Sequence, residues 1–248
     1  MEGAYFWVLA ALAAATVGAG KGGLPIVGML AVPILSLAIS PVTAAGLLLP
    51  VYVVSDMFGL YAYRREFDRR VLAIACAGMT AGVMIGWATA SIVTEAEVTL
   101  VVGLVGLAFA LNLLIKRNLT PDPRPPQLGK GLFWTTVAGF TSFVSHSGAP
   151  PYQVFTLPLG MRKAVFAGTA TIAFAYVNAL KLIPYYFLGQ LSLQNLEVAA
   201  MLAPVAAVSV FGGVWVVRHM PEKLFFQLVT WALLLISIKL VWDGATGL

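Results

Sequence analysis

Long apolar runs separated by short polar joints fill almost the entire 248-residue chain. Apolar windows predict full-length helices at 41–62, 71–92, 98–115, 163–185, 194–217 and 222–242, each near the roughly 20 residues that cross a hydrocarbon core. Two further apolar stretches, 4–39 and 131–161, are too long for one helix, and each is cut near its middle. The first cut is Gly18-Ala19-Gly20-Lys21-Gly22-Gly23-Leu24-Pro25, and the second is Ser145-His146-Ser147-Gly148-Ala149-Pro150-Pro151. Each leaves arms of roughly 12 to 16 residues, predicting a broken-helix hairpin. A re-entrant hairpin and a pair of short complete spans both fit, and in both cases the two ends emerge on one side.

Composition moves this pattern into lipid. At 60% hydrophobic and 10% charged residues, a chain of this length has more apolar surface than one soluble core can cover. The polar connector from Lys116 to Lys130 is the longest joint, which leaves no room for a separate soluble domain. The opening residues lack a basic region, so the first apolar run is expected to be a retained segment and not a cleaved leader. One cysteine, Cys76, rules out an internal disulfide and a thiolate metal cage. The formal charge of +5 does not point to nucleic acid, because the basic residues flank the spans. Arg64, Arg65, Arg69 and Arg70 follow one helix, and Lys116, Arg117, Arg124 and Lys130 fill the connector, which places both loops in the cytoplasm. The joint at Glu95 and Glu97 and the segment from Leu188 to Glu197 contain no basic residue and are expected on the opposite side.

The two cuts lie about 125 positions apart, and other short matches keep the same order. Gly22-Gly23-Leu24-Pro25 pairs with Gly148-Ala149-Pro150-Pro151, Val53-Val54-Ser55-Asp56 with Ala175-Tyr176-Val177-Asn178, and Gly86-Trp87 with Val214-Trp215. With the reversal of loop charge, this predicts an all-α polytopic membrane protein of two inverted repeats, each a broken-helix hairpin followed by three transmembrane helices. The first repeat is expected at 1–116 and the second at 131–248, joined by the cytoplasmic connector 117–130.

Polar chemistry concentrates at these breaks. Gly22 and Gly23 allow a turn and a close approach, and Pro25 suits the first turn of a returning arm. Pro150 and Pro151 repeat that arrangement, so two helix starts with free N–H groups are expected to face an anion at mid-membrane. Lys21 adds a positive charge at membrane depth, where a functional role is the default reading. The glycine-rich segment is not a P-loop, since no Ser or Thr follows the lysine and no strand precedes it. At the second break Ser145, His146, Ser147 and Gly148 supply donors, His146 is a candidate proton carrier, and Gln153 lies a few residues into the returning arm. Ser55 and Asp56 interrupt one long helix, while Asn178 and Lys181 share a face of another. Asp56 is a candidate proton carrier or the partner of a cation, with Ser55 lining the cavity beside it. An intramembrane hydrolase built from Ser145 or Ser147, His146 and Asp56 is disfavoured, because neighbouring Ser and His side chains rarely meet productively. No metal-ligand pattern such as His-Glu-x-x-His occurs.

Gly20-Lys21-Gly22-Gly23-Leu24-Pro25, Ser55-Asp56 with Tyr63-Arg64-Arg65, Gly139-Phe140-Thr141-Ser142-Phe143 running into Ser145 to Pro151, and Gly168-Thr169 with Asn178 and Lys181 resemble the sulfite exporter TauE/SafE family of bacterial membrane transporters. One departure is Ala149, where the family pattern leads us to expect a second glycine. The resemblance implies export of sulfite or related sulfur-containing anions such as sulfonates, from a multi-pass position in the bacterial inner membrane. The expected partners are a small anionic substrate and the lipid bilayer, with no cofactor and no enzymatic activity, and a homo-oligomer remains open. A passive anion channel and an uptake permease for such anions are the alternatives.

Overall fold

The computed structural model describes residues 3–115, 124–189 and 193–247, and no strand occurs among them. In chain order the helices are α1 (Ala4–Lys21), α2 (Pro25–Gly28), α3 (Ala31–Leu35), α4 (Pro41–Tyr63), α5 (Arg69–Ala88), α6 (Glu95–Ile115), α7 (Leu128–Ser145), α8 (Ala149–Thr156), α9 (Lys163–Phe187), α10 (Leu193–His219) and α11 (Glu222–Thr246), with a 3-10 turn at Leu157–Leu159 after α8. Local chemistry sets several of their starts. Ser40 accepts a hydrogen bond from the Thr43 N–H just before Pro41, and Asp68 accepts one from the Val71 N–H. Thr94 and Glu97 form a reciprocal capping box ahead of α6, with the Glu97 carboxylate accepting from the Thr94 N–H at 3.3 Å.

Six helices fall where the apolar windows place them. Among the described residues, seven helices are long and apolar enough to cross a membrane, the seventh being α1. The protein is therefore all-α and polytopic. The hairpins differ from the expectation of two similar thin arms. Their leading arms, α1 and α7, have 18 residues each, about 27 Å of helix. Their returning arms are short and interrupted, Pro25–Gly28 with Ala31–Leu35 in one and Ala149–Thr156 with the 3-10 turn in the other. Glycines lengthen the first leading arm instead of ending it. Gly18 continues α1 because α10 packs directly on it, and a Cβ there would sit 2.2 Å from the Ala206 carbonyl oxygen.

The chain divides into two compact units, one formed by Met1–Phe67 with Ala167–His219 and the other by Asp68–Phe166 with Met220–Leu248. Each unit takes elements from both sides of the 116–130 connector, so compact unit and sequence half are different divisions. Within the connector, residues 116–123, including Lys116 and Arg117, lie outside the described residues. In the first unit α10 packs along α1 and α4. In the second, α5 lies along α7, α6 along α11, and α8 rests on α6 and α7.

Gly78, Gly82 and Gly86 recur every four residues on the face of α5 that meets α7. A Cβ on Gly82 would lie 2.1 Å from the Thr136 carbonyl oxygen, so the backbones approach as closely as a missing side chain permits. In lipid, where no hydrophobic force joins apolar helices, such close approach is what holds a pair together. Replacing Gly82 with valine is expected to destabilise the fold by about 2 kcal/mol through overpacking, whereas the same change at Gly129, which has open space around its Cα, leaves stability unchanged. Thermal unfolding of the detergent-solubilised variants measures both.

Candidate functional site

The first break begins where α1 runs out of hydrogen-bond partners. The Gly22 N–H still reaches the Gly18 carbonyl at 2.8 Å, but Gly23 turns into positive φ (111°), which a side chain would resist. The freed carbonyls are then taken by hydroxyl groups from neighbouring helices of the same unit. Thr171 donates to the Lys21 carbonyl (3.1 Å), Tyr63 to that of Gly22 (2.6 Å) and Tyr52 to that of Gly28 (2.6 Å). These three bonds satisfy backbone groups that lipid cannot, which fixes the break in place.

Fixing the backbone also aims Lys21. Its side chain is buried, and Nζ sits 2.6 Å from Asp56 Oδ1 on α4. The same ammonium lies 5.4 Å from the centroid of the Tyr52 ring, one helical turn before Asp56. Asp56 receives a second partner from α9, where Asn178 Nδ2 donates to Oδ2 at 2.8 Å. Lys181, fully buried one turn beyond Asn178, stands with its Nζ 6.0 Å from the Tyr185 ring centroid and feels the charges of both Lys21 and Asp56. Lys21, Asp56, Asn178 and Lys181 thus form one cluster inside the first unit. Two lysines and an amide gather around one aspartate. Ser55 is buried beside Asp56, but its hydroxyl donates to the Val51 carbonyl at 2.7 Å within its own helix.

The helix start at this break differs from expectation. The arm that begins at Pro25 has a single turn of four residues, too short to build a useful dipole. Positive charge at the first break therefore resides in the lysines. Lys21 also closes α1 at its carbonyl end, where a cation is favoured.

The second break, in the other unit, contains no Asp, Glu, Lys or Arg between Ser145 and Pro151. Thr141 and Ser147 clasp it, with the Ser147 N–H donating to the Thr141 carbonyl (3.2 Å) and the Thr141 hydroxyl to the Ser147 carbonyl (3.2 Å). Ser145 donates to the Thr141 carbonyl and Ser147 to the Ser145 carbonyl, so both hydroxyls brace the turn. His146 is the one non-glycine residue at positive φ (54°) among the described residues. With its side chain buried, it sits in the left-handed region where α7 ends, a conformation that costs a non-glycine residue energy. Gly148 caps α8, and Ala149, the departure from the family pattern, fits as its first helical residue. Pro150 and Pro151 follow, leaving Ala149 as the one residue of the first three with an N–H to offer. Gln153 is fully buried, and neither its amide nitrogen nor its amide oxygen has a partner among the described residues.

The structure brings Lys21, Asp56, Asn178 and Lys181 together and places Ser145, His146, Ser147 and Gly148 at the second break. The sequence reading gave no role to Tyr52, Tyr63 or Thr171, whose hydroxyls hold the first break. Tyr52 carried a usable signal, since it precedes Asp56 by four residues and shares its helix face. Among the described residues, no group of His, Cys, Asp and Glu is placed to hold a metal.

The family model described as Sulfite exporter TauE/SafE matches residues 6–240. No curated protein and no solved structure matches the chain. The match spans nearly the whole chain, and the chain belongs to that family. With its seven membrane-length helices, it is a multi-pass membrane protein of a transporter family.

Two stability measurements check this geometry. Lys21→Met leaves the Asp56 carboxylate buried without its ammonium and is expected to destabilise the protein by about 3 to 5 kcal/mol, with the double variant Lys21→Met/Asp56→Leu losing clearly less. At the second break His146→Gly and His146→Ala both remove the imidazole, but only glycine adopts positive φ freely. The glycine variant is expected to be about 1 kcal/mol more stable than the alanine variant by the same unfolding assay.

Proposed function

We propose that this member of the sulfite exporter TauE/SafE family carries sulfite or a related small sulfur-containing anion, such as a sulfonate, out of the cytoplasm across a bacterial inner membrane by alternating access. The observation that carries this reading is the buried cluster of Lys21, Asp56, Asn178 and Lys181, which sets two lysines and an amide donor around one aspartate at membrane depth. Burying even a paired charge is expensive, and an anionic load between the two lysines would offset that cost.

Exchange of partners supplies a transport cycle. An arriving oxyanion competes with the Asp56 carboxylate for Lys21, while Asn178 offers an amide donor on the same side. When Asp56 takes up a proton, Lys21 is released toward the anion. Proton uptake by Asp56 and anion binding therefore favour each other, and by linkage each strengthens the other equally. His146 at the second break is a second candidate proton carrier, since an imidazole ordinarily titrates near neutral pH.

The matched positions of the two sequence halves support the inverted repeat in this reading. Asp56 and Asn178 are equivalents in the sequence comparison, and they hydrogen-bond to one another. Residues on a pseudo-two-fold axis meet their own counterparts, and α6 and α11, the last helices of the two halves, also pair. The first arm of each hairpin packs on the second long helix of the opposite half, α1 on α10 and α7 on α5.

Reconstitution into liposomes tests the function. Sulfite or methanesulfonate flux is expected in wild-type vesicles, with Lys181→Met reducing the specific flux about tenfold or more while the protein still folds. A sulfonate stays ionised across the pH range, so pH acts on the protein alone in such an assay. Its half-saturating concentration should fall as pH is lowered in the wild type, and Asp56→Asn should abolish that dependence. Flux without any proton dependence in the wild type would instead favour a passive anion channel.

A further inference from the structure

Where the connector reaches α7, the second unit holds a cavity of about 180 Å³, large against the roughly 10–15 Å³ that one water needs. Three pieces of chain wall it. Arg124 and Gln127 come from the end of the connector, Lys130 and Trp134 from the first turns of α7, and Phe155 and Leu159 from α8 and the 3-10 turn after it. The Arg124 N–H donates to the Pro158 carbonyl at 3.2 Å, which ties the connector to that turn and keeps the arginine beside the cavity. Phe155 is buried, packed on Val71 and Ile74 of α5 and lying against Gly131 of α7, where a Cβ would come within 2.8 Å of its ring. The apolar wall is thus fixed by the core of the unit.

Among the described residues two cations line this cavity and no carboxylate does. Arg124 and Lys130 are exposed, and neither forms an ion pair among the described residues. Gln127 stands at the cap of α7, yet its side chain makes no capping hydrogen bond and lines the cavity instead. Lys130 and Trp134 lie one turn apart on one face of α7, which sets an ammonium next to an indole, the ring that favours the boundary between lipid and water. A small hydrated anion would use the cations alone. An apolar wall beside two cations and an indole matches an amphiphile with phosphate at one end and hydrocarbon at the other.

We propose that this cavity binds the headgroup of an anionic phospholipid from the cytoplasmic leaflet, with Arg124 and Lys130 taking the phosphate and the wall of Phe155 and Leu159 taking the glycerol end. The arginine fork holds two phosphate oxygens at once, and Lys130 adds a point charge. A lipid bound there joins the start of α7 to the end of α8, the two ends of the second hairpin, and so clasps the segment that carries His146. The site stands whichever anion the protein carries, and every residue in it belongs to the second unit.

The test uses the full-length protein in detergent and the concentration of short-chain phosphatidylglycerol that gives half of the maximal rise in melting temperature, at constant ionic strength. Phosphatidylcholine of the same chain length is the neutral arm, and inorganic phosphate is the free-anion arm. Phosphatidylglycerol is expected to stabilise the wild type more than either. Arg124→Ala and Lys130→Ala should each raise its half-maximal concentration about tenfold, and Arg124→Lys by less, while all three melt without lipid near the wild-type temperature. Arg70→Ala, which removes an exposed charge at the start of α5, should leave the half-maximal concentration unchanged. An equal loss in Arg70→Ala, or no loss in Arg124→Ala and Lys130→Ala, would overturn the site, because the lipid would then follow overall charge or bind elsewhere. Inorganic phosphate that stabilises as strongly as the lipid, with the same two variants weakening it, would overturn the phospholipid in favour of a free oxyanion. A wild type that phosphatidylglycerol does not stabilise would overturn the proposal outright and leave the transport reading standing.

Discussion

A lysine ammonium and an aspartate carboxylate meet inside a segment that spans lipid, and the first compact unit is organised around keeping them together. Removing either charge from water costs several kcal/mol, so the contact persists only because further groups surround it. Asn178 occupies the second carboxylate oxygen, and the Tyr52 ring faces the ammonium. The break after Lys21 is what delivers the lysine to that place. Without the turn at Gly22 and Gly23, α1 would continue and its end would not lie against α4 and α9. The hydroxyls of Thr171, Tyr63 and Tyr52 then satisfy the carbonyls that the turn exposes. Charge, backbone break and hydroxyl anchors are thus one construction.

The two breaks solve the same problem with different chemistry. The first exposes helix carbonyls and answers them with tyrosine and threonine hydroxyls, which leaves the lysines to supply positive charge. The second braces its turn with Thr141, Ser145 and Ser147, and the Gln153 amide on α8 has no partner among the described residues.

Much of this was legible in the sequence because membrane helices obey simple rules. Length and apolarity placed the six long helices, since lipid forbids unsatisfied backbone and sets the span. Polar residues stranded in apolar runs marked Asp56, Asn178 and Lys181, because only partnered polar groups survive there. Glycine and proline located both breaks. The shape of the hairpins was not legible, since whether Gly18 and Gly20 end a helix depends on α10 packing against Gly18 and α2 against Gly20, and tertiary contact overrides propensity. The dipole at the first break was overestimated for a related reason. Pro25 correctly marks a helix start, but the Gly28 carbonyl is claimed by Tyr52, a residue 24 positions away, and the arm breaks after one turn.

The most direct measurement is a crystal structure of the protein soaked with selenite, the heavier analogue of sulfite, located by the anomalous scattering of selenium. The account predicts a selenium peak within hydrogen-bonding reach of the Lys21 and Lys181 ammonium groups, with the Lys21 to Asp56 contact lengthened beyond its present 2.6 Å. A transport-competent protein whose selenium peak lies away from both lysines, with that contact intact, would contradict it.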